Sequence, residues 1–171
     1  MTVVAYILPK QISEAQATVN KMGLSEKIAL CDEIRRVQPI LLASVLVQGK
    51  FGTSNEELDY LIELLLVCYK SAKAAGLTLR EITEADQELG LERVGGRAKF
   101  LEGLSSEMAT KAYQDQIETH PETHLLSYVV EKIKSHRVSK IETNSDKYFV
   151  MSALNLVEII TYVSRDARFQ A

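Results

Sequence analysis

The sequence predicts an all-α fold, a compact bundle of about eight or nine helices. Three observations support this: apolar residues recur every three to four positions, helix-start signals recur along the chain, and glycine-based helix stops separate the segments. The chain has 171 residues, of which 46% are hydrophobic and 25% are charged. Because this composition and length are typical of a globular domain, we expect residues 1–171 to form a single helical domain.

Five capping-box patterns predict helix starts. In each one, a serine or threonine stands three residues before an acid or amide, so that the hydroxyl can accept a backbone N–H while the longer side chain reaches back. The pairs are Ser13 with Gln16, Ser54 with Glu57, Thr78 with Glu81, Thr119 with Glu122, and Thr143 with Asp146.

Three helix stops share one design, a glycine followed by leucine and a hydroxyl residue. The glycines are Gly23, Gly76 and Gly103. Glycine adopts the left-handed conformation that ends a helix, the leucine folds back, and the hydroxyl can cap the next helix. The pattern predicts three tight corners between helices.

Together these signals predict nine helices separated by short turns. Residues 1–10 are expected to be an extended arm, because Val3 to Leu8 is the one segment with strand-like character and it ends at a proline. The predicted helices span residues 13–22, 25–37, 39–50, 54–75, 78–89, 91–102, 106–118, 121–135 and 145–166.

Two of these helices have the pattern of central, mostly buried elements. The helix at 54–75 carries one polar stripe, which includes Glu56 and Glu63, and is otherwise apolar. The last helix has a wide apolar face and, on its opposite side, a narrow polar edge that includes Glu158. Such wide apolar faces predict burial on most sides.

A unit of proline, apolar helix, polar turn and capped apolar helix occurs twice. The first unit starts at Pro39 and leads to the helix after Ser54, and the second starts at Pro121 and leads to the helix after Thr143. This repetition favours two helical hairpins that face each other around one core. Two unrelated hairpins with generic patterning remain the alternative.

The first unit resembles a known family. The stretch from Val47 to Leu61 is similar to the signature turn of the tellurite-resistance B-like helical family, in which an apolar helix ends in an Asp-Gly turn before a Ser-x-x-Glu helix. The second unit would match Pro121 to Lys134 and the residues from Asp146 onward. Gln48 stands where the family has an acidic residue.

The resemblance implies a non-enzymatic, cytoplasmic helical module linked to the bacterial stress response. Such a module would act through contacts with a protein partner or with itself, for example as a homodimer, or through a weak divalent-cation site. No other cofactor is expected. The acids that would hold the cation are Glu56, Glu57, Glu142 and Asp146.

A second resemblance leaves an enzymatic alternative open. Cys68, followed by Ala75-Gly76-Leu77-Thr78, is similar to part of the alkylhydroperoxidase-like helical class. That class uses a pair of cysteines and a histidine, whereas this chain has only Cys31 and Cys68. We therefore expect Cys68 to be a core residue, and reduced thiols favour the cytoplasm.

The distribution of charge argues against nucleic-acid and membrane partners. The net charge is −3, and both signs are spread along the chain. The longest apolar run, Ile40 to Val47, is too short to cross a bilayer. One basic patch is interpreted as a solvated helix end; it comprises Lys132, Lys134, His136, Arg137 and Lys140.

Two further groups of residues are candidates for chemistry. Glu63 and Glu158 each interrupt an apolar helix and would form an acid/base or metal site if they converged, but we expect each to face water on its polar stripe. His120 lies in a Glu- and His-rich segment, where Pro121 makes Thr119 or His120 a helix cap rather than a metal ligand.

Overall fold

The computed structural model describes residues 4–136 and 141–166, and it is all-α as predicted. None of the helices in these residues is long and apolar enough to cross a membrane. A 3-10 turn, Val47–Phe51, continues the third helix. The helices of the described residues are α1 Pro9–Lys21, α2 Leu24–Val37, α3 Pro39–Leu46, α4 Asn55–Ala74, α5 Glu84–Leu101, α6 Ser106–Glu118, α7 Thr123–Ser135 and α8 Asn144–Ser164.

The core is built around α4 and α8, which pack against each other. Leu61 and Leu65 of α4 and Leu156 and Ile160 of α8 have no exposed surface. Each such side chain stabilises the fold by about 1.5–3 kcal/mol through its transfer from water. The prediction that these two helices are the central ones is confirmed.

The N-terminal arm is packed onto the bundle. Residues 4–8 form no helix, and the Ile7 side chain is fully buried in the core. The first helix begins at Pro9, whose fixed φ suits a first helical turn, so the predicted start at Ser13 is wrong. Ser13 lies inside α1 instead.

Two of the five capping boxes are confirmed. The Ser54 hydroxyl accepts the Glu57 N–H at the start of α4, and the Thr143 hydroxyl accepts the Asp146 N–H at the start of α8. These are the two helices that form the centre of the core.

Two of the three glycine corners have the predicted conformation. Gly76 has φ 71° and Gly103 has φ 80°, in the left-handed region that favours glycine. Gly23 does not, because it has φ −75° and is the N-cap of α2, where the Glu26 carboxylate accepts its N–H.

The largest difference from the sequence prediction lies between residues 77 and 101. Instead of two helices at 78–89 and 91–102, the chain forms one non-helical segment followed by the single helix α5. The predicted capping box of Thr78 and Glu81 is therefore wrong.

The cause is a side chain that is distant in sequence. Gln38, at the junction of α2 and α3, donates from Nε2 to the Arg80 carbonyl oxygen (2.9 Å) and accepts the Ile82 N–H at Oε1 (2.9 Å). These bonds hold the segment in a non-helical form and bury Ile82 in the core. The helix α5 then starts at Glu84 and is capped by Thr83, whose hydroxyl accepts the Asp86 N–H.

The helix α5 approaches α8 closely at Gly90. A side chain at this position would collide with the Asn155 amide oxygen. Glycine usually costs about 1 kcal/mol inside a helix, but here its missing side chain permits the close contact of α5 with α8.

The turns that precede α4 and α8 lie side by side. A Cβ atom built on Gly52 would be 3.8 Å from the Ser145 Cβ, and the rings of Phe51 and Tyr148 have centroids 5.3 Å apart. Since α3 packs on α4 and α7 packs on α8, the two predicted hairpins meet along the α4–α8 contact. A common origin of the two hairpins stays a prediction.

Candidate ligand cavity and buried charge network

An apolar cavity of about 400 Å³ lies among α5, α6, α7 and α8; we call it the α5–α8 cavity. Its volume falls within the range of about 300–1,000 Å³ that is usual for small-molecule sites. The apolar side chains that line it are Val94, Ala98, Leu101, Ile117, Leu126, Ile141, Val150, Met151 and Leu154.

A few polar side chains also line the α5–α8 cavity. Lys99, Glu102 and Lys147 are exposed, whereas Arg97 and Tyr113 are half-buried. Burial raises the pKa of Tyr113, so its hydroxyl stays protonated near neutral pH and is available as a hydrogen-bond donor. Apolar walls with a few polar groups are typical of sites that bind small amphipathic molecules.

Arg97 connects this cavity to a buried carboxylate. Its Nη1 donates to Oε1 of Glu158, whose side chain has no exposed surface. The prediction that Glu158 faces water is therefore wrong, because the polar edge of α8 is covered by α5. Glu63 forms a separate surface ion pair with Lys27, so the two glutamates bind different partners.

His120 is the second partner of Glu158. Its Nε2 lies 3.1 Å from Glu158 Oε1, while its Nδ1 accepts the Glu122 N–H at 3.0 Å. This geometry requires the tautomer with the proton on Nε2. The N-cap of α7 is Glu122, so the expectation that Thr119 or His120 caps this helix is wrong.

Glu122 holds the N-terminal arm against the bundle. Its buried carboxylate accepts the N–H groups of Tyr6 and Ile7, each at 3.0 Å, and a hydrogen bond from Arg165 at 2.8 Å. The predicted capping box of Thr119 with Glu122 is therefore wrong. The carboxylate instead binds the backbone of Tyr6 and Ile7, which lie more than a hundred positions away in the sequence.

The charge on Glu158 is stabilised by its partners. Burial by itself would raise the pKa of Glu158, but the hydrogen bonds from His120 and Arg97 outweigh burial and hold the pKa below its ordinary value. A general base at neutral pH needs a pKa raised toward 7. Glu158 instead has the character of a structural anion that fixes Arg97.

The thiol of the enzymatic alternative is inaccessible. Cys68 is fully buried in α4, and burial raises the pKa of its thiol to about 12. A nucleophilic cysteine needs a lowered pKa and some exposure. The expectation that Cys68 is a core residue is confirmed.

The structure brings two of the four predicted metal ligands into helix caps. Glu57 accepts the Ser54 N–H, and Asp146 accepts the N–H groups of Thr143 and Glu142. Glu56 is exposed in the first turn of α4. No group of three or more His, Cys, Asp or Glu side chains in residues 4–136 and 141–166 has the arrangement of a metal site, and cation binding by these acids stays a prediction.

The basic patch is only partly described. Lys132 and Lys134 lie in the last turn of α7, where cations are favoured, as the interpretation of a helix end requires. His136 stacks on the Tyr60 ring with centroids 4.1 Å apart. The remaining members, Arg137 and Lys140, lie outside the described residues.

The sequence prediction missed the α5–α8 cavity. Val94, Ala98 and Leu101 have helical spacing, and Val150, Met151 and Leu154 continue the pattern on α8. The same spacing is typical of an ordinary packed core, so no signal in the sequence distinguishes a filled interface from a hollow one.

Comparisons with known proteins add no relative. No protein-family model, no curated protein and no solved structure matches this chain.

Proposed function

We propose that the protein is a non-catalytic helical module that binds a small, largely apolar molecule in the α5–α8 cavity. The observation that carries this proposal is the cavity itself, about 400 Å³ in volume with mainly apolar walls. Pockets of this size with mainly apolar walls and a few polar groups are typical of small-molecule sites. The space therefore favours a bound ligand.

The charged groups near the cavity support binding rather than catalysis. Glu158 is ionised and paired with Arg97, and Cys68 is a buried protonated thiol. Neither is poised to exchange protons or attack a substrate at neutral pH. We also propose a cytoplasmic location, which the two free thiols within the described residues support.

Binding can be tested with N-phenylnaphthylamine, an uncharged dye that fluoresces in apolar surroundings. We expect saturable fluorescence with the native protein and little with Ala98→Trp or Met151→Trp, because an indole from either wall fills the cavity. Ala85→Trp is the matched control, since Ala85 is exposed on the same helix as Ala98 and does not line the cavity. Equal fluorescence from all four proteins would contradict the proposal.

Thiol labelling distinguishes the enzymatic alternative. In a Cys31→Ser variant, we expect a thiol reagent to label Cys68 only after urea is added, because the folded protein excludes both water and reagent from this side chain. Rapid labelling of Cys68 in the folded protein would favour the alkylhydroperoxidase-like reading.

Membership of the tellurite-resistance B-like family and a role in stress response remain proposals. The adjacency of the turns before α4 and α8 supports them, since it places the acid-bearing first turns of these two helices side by side. If these acids hold a divalent cation, millimolar calcium or magnesium raises the melting temperature, and a Glu56→Gln/Glu142→Gln variant loses this increase. An unchanged melting temperature would remove the cation site.

A further inference from the structure

We infer that the ligand of the α5–α8 cavity is an amphipathic carboxylic acid, with its apolar chain between the helices and its carboxylate bound by Lys147 and Arg97. This inference rests on the proposed function. It adds the chemical class of the ligand and the residues that select it.

The first support is the balance of charge around the cavity. Among the residues that the structure describes, three cations, Arg97, Lys99 and Lys147, and one anion, Glu102, line it. Glu158 neutralises Arg97, which leaves two lysines against one carboxylate. Among the described residues, no carboxylate forms an ion pair with either lysine. An acidic group on the ligand complements this excess of positive charge.

The second support is the position of Lys147. It lies in the first turn of α8, next to the capping residue Asp146. A cation near a helix N-terminus opposes the helix dipole and costs about 0.3–1 kcal/mol. Lys147 therefore does not stabilise α8 through the helix dipole. Its position on the cavity wall is suited to binding an anion in that cavity.

The third support is the set of Arg97 donor groups that no protein acceptor uses. Glu158 accepts from Nη1 only, and the Arg97 Nε and Nη2 groups have no protein acceptor within the described residues. A guanidinium group binds carboxylates well because its N–H groups form a planar fork. Since Glu158 and His120 fix the position of this fork, little entropy is lost when a ligand binds.

The size and lining of the cavity select a small amphiphile. A space of about 400 Å³ accommodates a short alkyl or aromatic body, and its lining combines mainly apolar side chains with a few cations. The matched pair octanoate and octanol isolates the contribution of the acid, because the two molecules share the same apolar chain.

Competition against bound N-phenylnaphthylamine tests the inference. We expect octanoate to displace the dye at a concentration about tenfold lower than octanol, the factor that one charge-assisted hydrogen bond supplies. Lys147→Gln should remove most of this preference by weakening octanoate alone. Lys111→Gln is the control, since Lys111 is exposed on α6 and does not line the cavity.

The outcomes separate the two proposals. Equal displacement by octanol and octanoate, or an unchanged preference in Lys147→Gln, overturns the acid-binding inference while dye binding still supports the proposed function. Failure of the native protein to bind either the dye or octanoate, measured by calorimetry, overturns both. Because Lys147 is exposed, its substitution leaves the core intact, and an unchanged melting temperature checks this.

Discussion

The two sides of α8 differ in how they are held. Toward α4, α8 packs in an aliphatic interface, with fully buried side chains such as Leu65 and Leu156. Toward α5, the contacts include charged groups: Arg97 pairs with Glu158, and the Arg93 guanidinium carbon lies 3.7 Å from the centroid of the Tyr162 ring. The α5–α8 cavity lies along this second side.

This difference separates stability from binding. Burial of an aliphatic side chain lowers the free energy of the folded state directly. A buried ion pair does so only if the attraction between the two charges exceeds the free energy lost when both leave water. We therefore expect each buried side chain on the α4 side to contribute more stabilising free energy than the ion pair on the α5 side. The α5 side positions charged groups. A space for a ligand on this side costs little folding free energy.

The largest expected effect comes from shortening a side chain on the α4 side. We expect Leu65→Ala to lower the free energy of unfolding by about 3 kcal/mol, because it leaves a cavity in a filled core. Leu154→Ala, which enlarges an existing cavity, should lower it by about 1 kcal/mol or less. Urea denaturation measures both, and equal losses would contradict the contrast between the two sides.

The next effect concerns the ion pair. We expect Arg97→Met to cost about 2 kcal/mol, since Glu158 would remain buried without its cationic partner. Arg93→Met removes a contact with an aromatic ring and should cost about 1 kcal/mol or less. A larger loss for Arg93→Met in the same urea experiment would show that charge burial is not the decisive feature of this interface.

The pH dependence of stability reports on the same carboxylate. Because the pKa of Glu158 is lowered on folding from its ordinary value of 4.5, its contribution is complete above that value and is lost as the pH falls through the lowered pKa. The melting temperature of the native protein should therefore fall in this acidic range. Glu158→Gln should show a shallower decrease, and parallel curves would rule out Glu158 as a source.

The smallest effect tests how α5 begins. Thr83→Ala removes the hydroxyl that accepts the Asp86 N–H and should cost about 1 kcal/mol. Thr78→Ala, at the position where the sequence predicts a cap, should change stability by no more than about 0.5 kcal/mol. The reverse order in thermal denaturation would indicate that the helix starts at residue 78 after all.

Local signals were sufficient where the partner groups are close in sequence. The caps at Ser54 and Thr143 and the left-handed glycines that follow helices at Gly76 and Gly103 depend on residues within about one helical turn. The apolar faces of α4 and α8 are likewise visible in the spacing of their residues. For these elements the prediction from the sequence agreed with the structure.

Hydrogen bonds between residues far apart in the sequence explain the two helix-cap predictions that were wrong at Thr78 and Thr119. Gln38 decides the conformation of residues 79–82, and Glu122 binds the backbone of Tyr6 and Ile7. In both regions the sequence contains a sound local capping pattern. The pattern at Thr78 fails because the buried Gln38 side chain binds the backbone of Arg80 and Ile82. The pattern at Thr119 fails because the Glu122 carboxylate is bound to the distant N–H groups of Tyr6 and Ile7.

The chain by itself determines that helices form and which of them are buried, since helical periodicity and capping depend on neighbours three or four residues apart. Only the tertiary structure decides where the polar edge of α8 points. Glu158 has the sequence pattern of a solvent-facing residue, yet α5 covers it and supplies Arg97 as its partner. The hollow beside this pair depends on how side chains from four helices fill a shared volume, a property that no segment of the sequence contains alone.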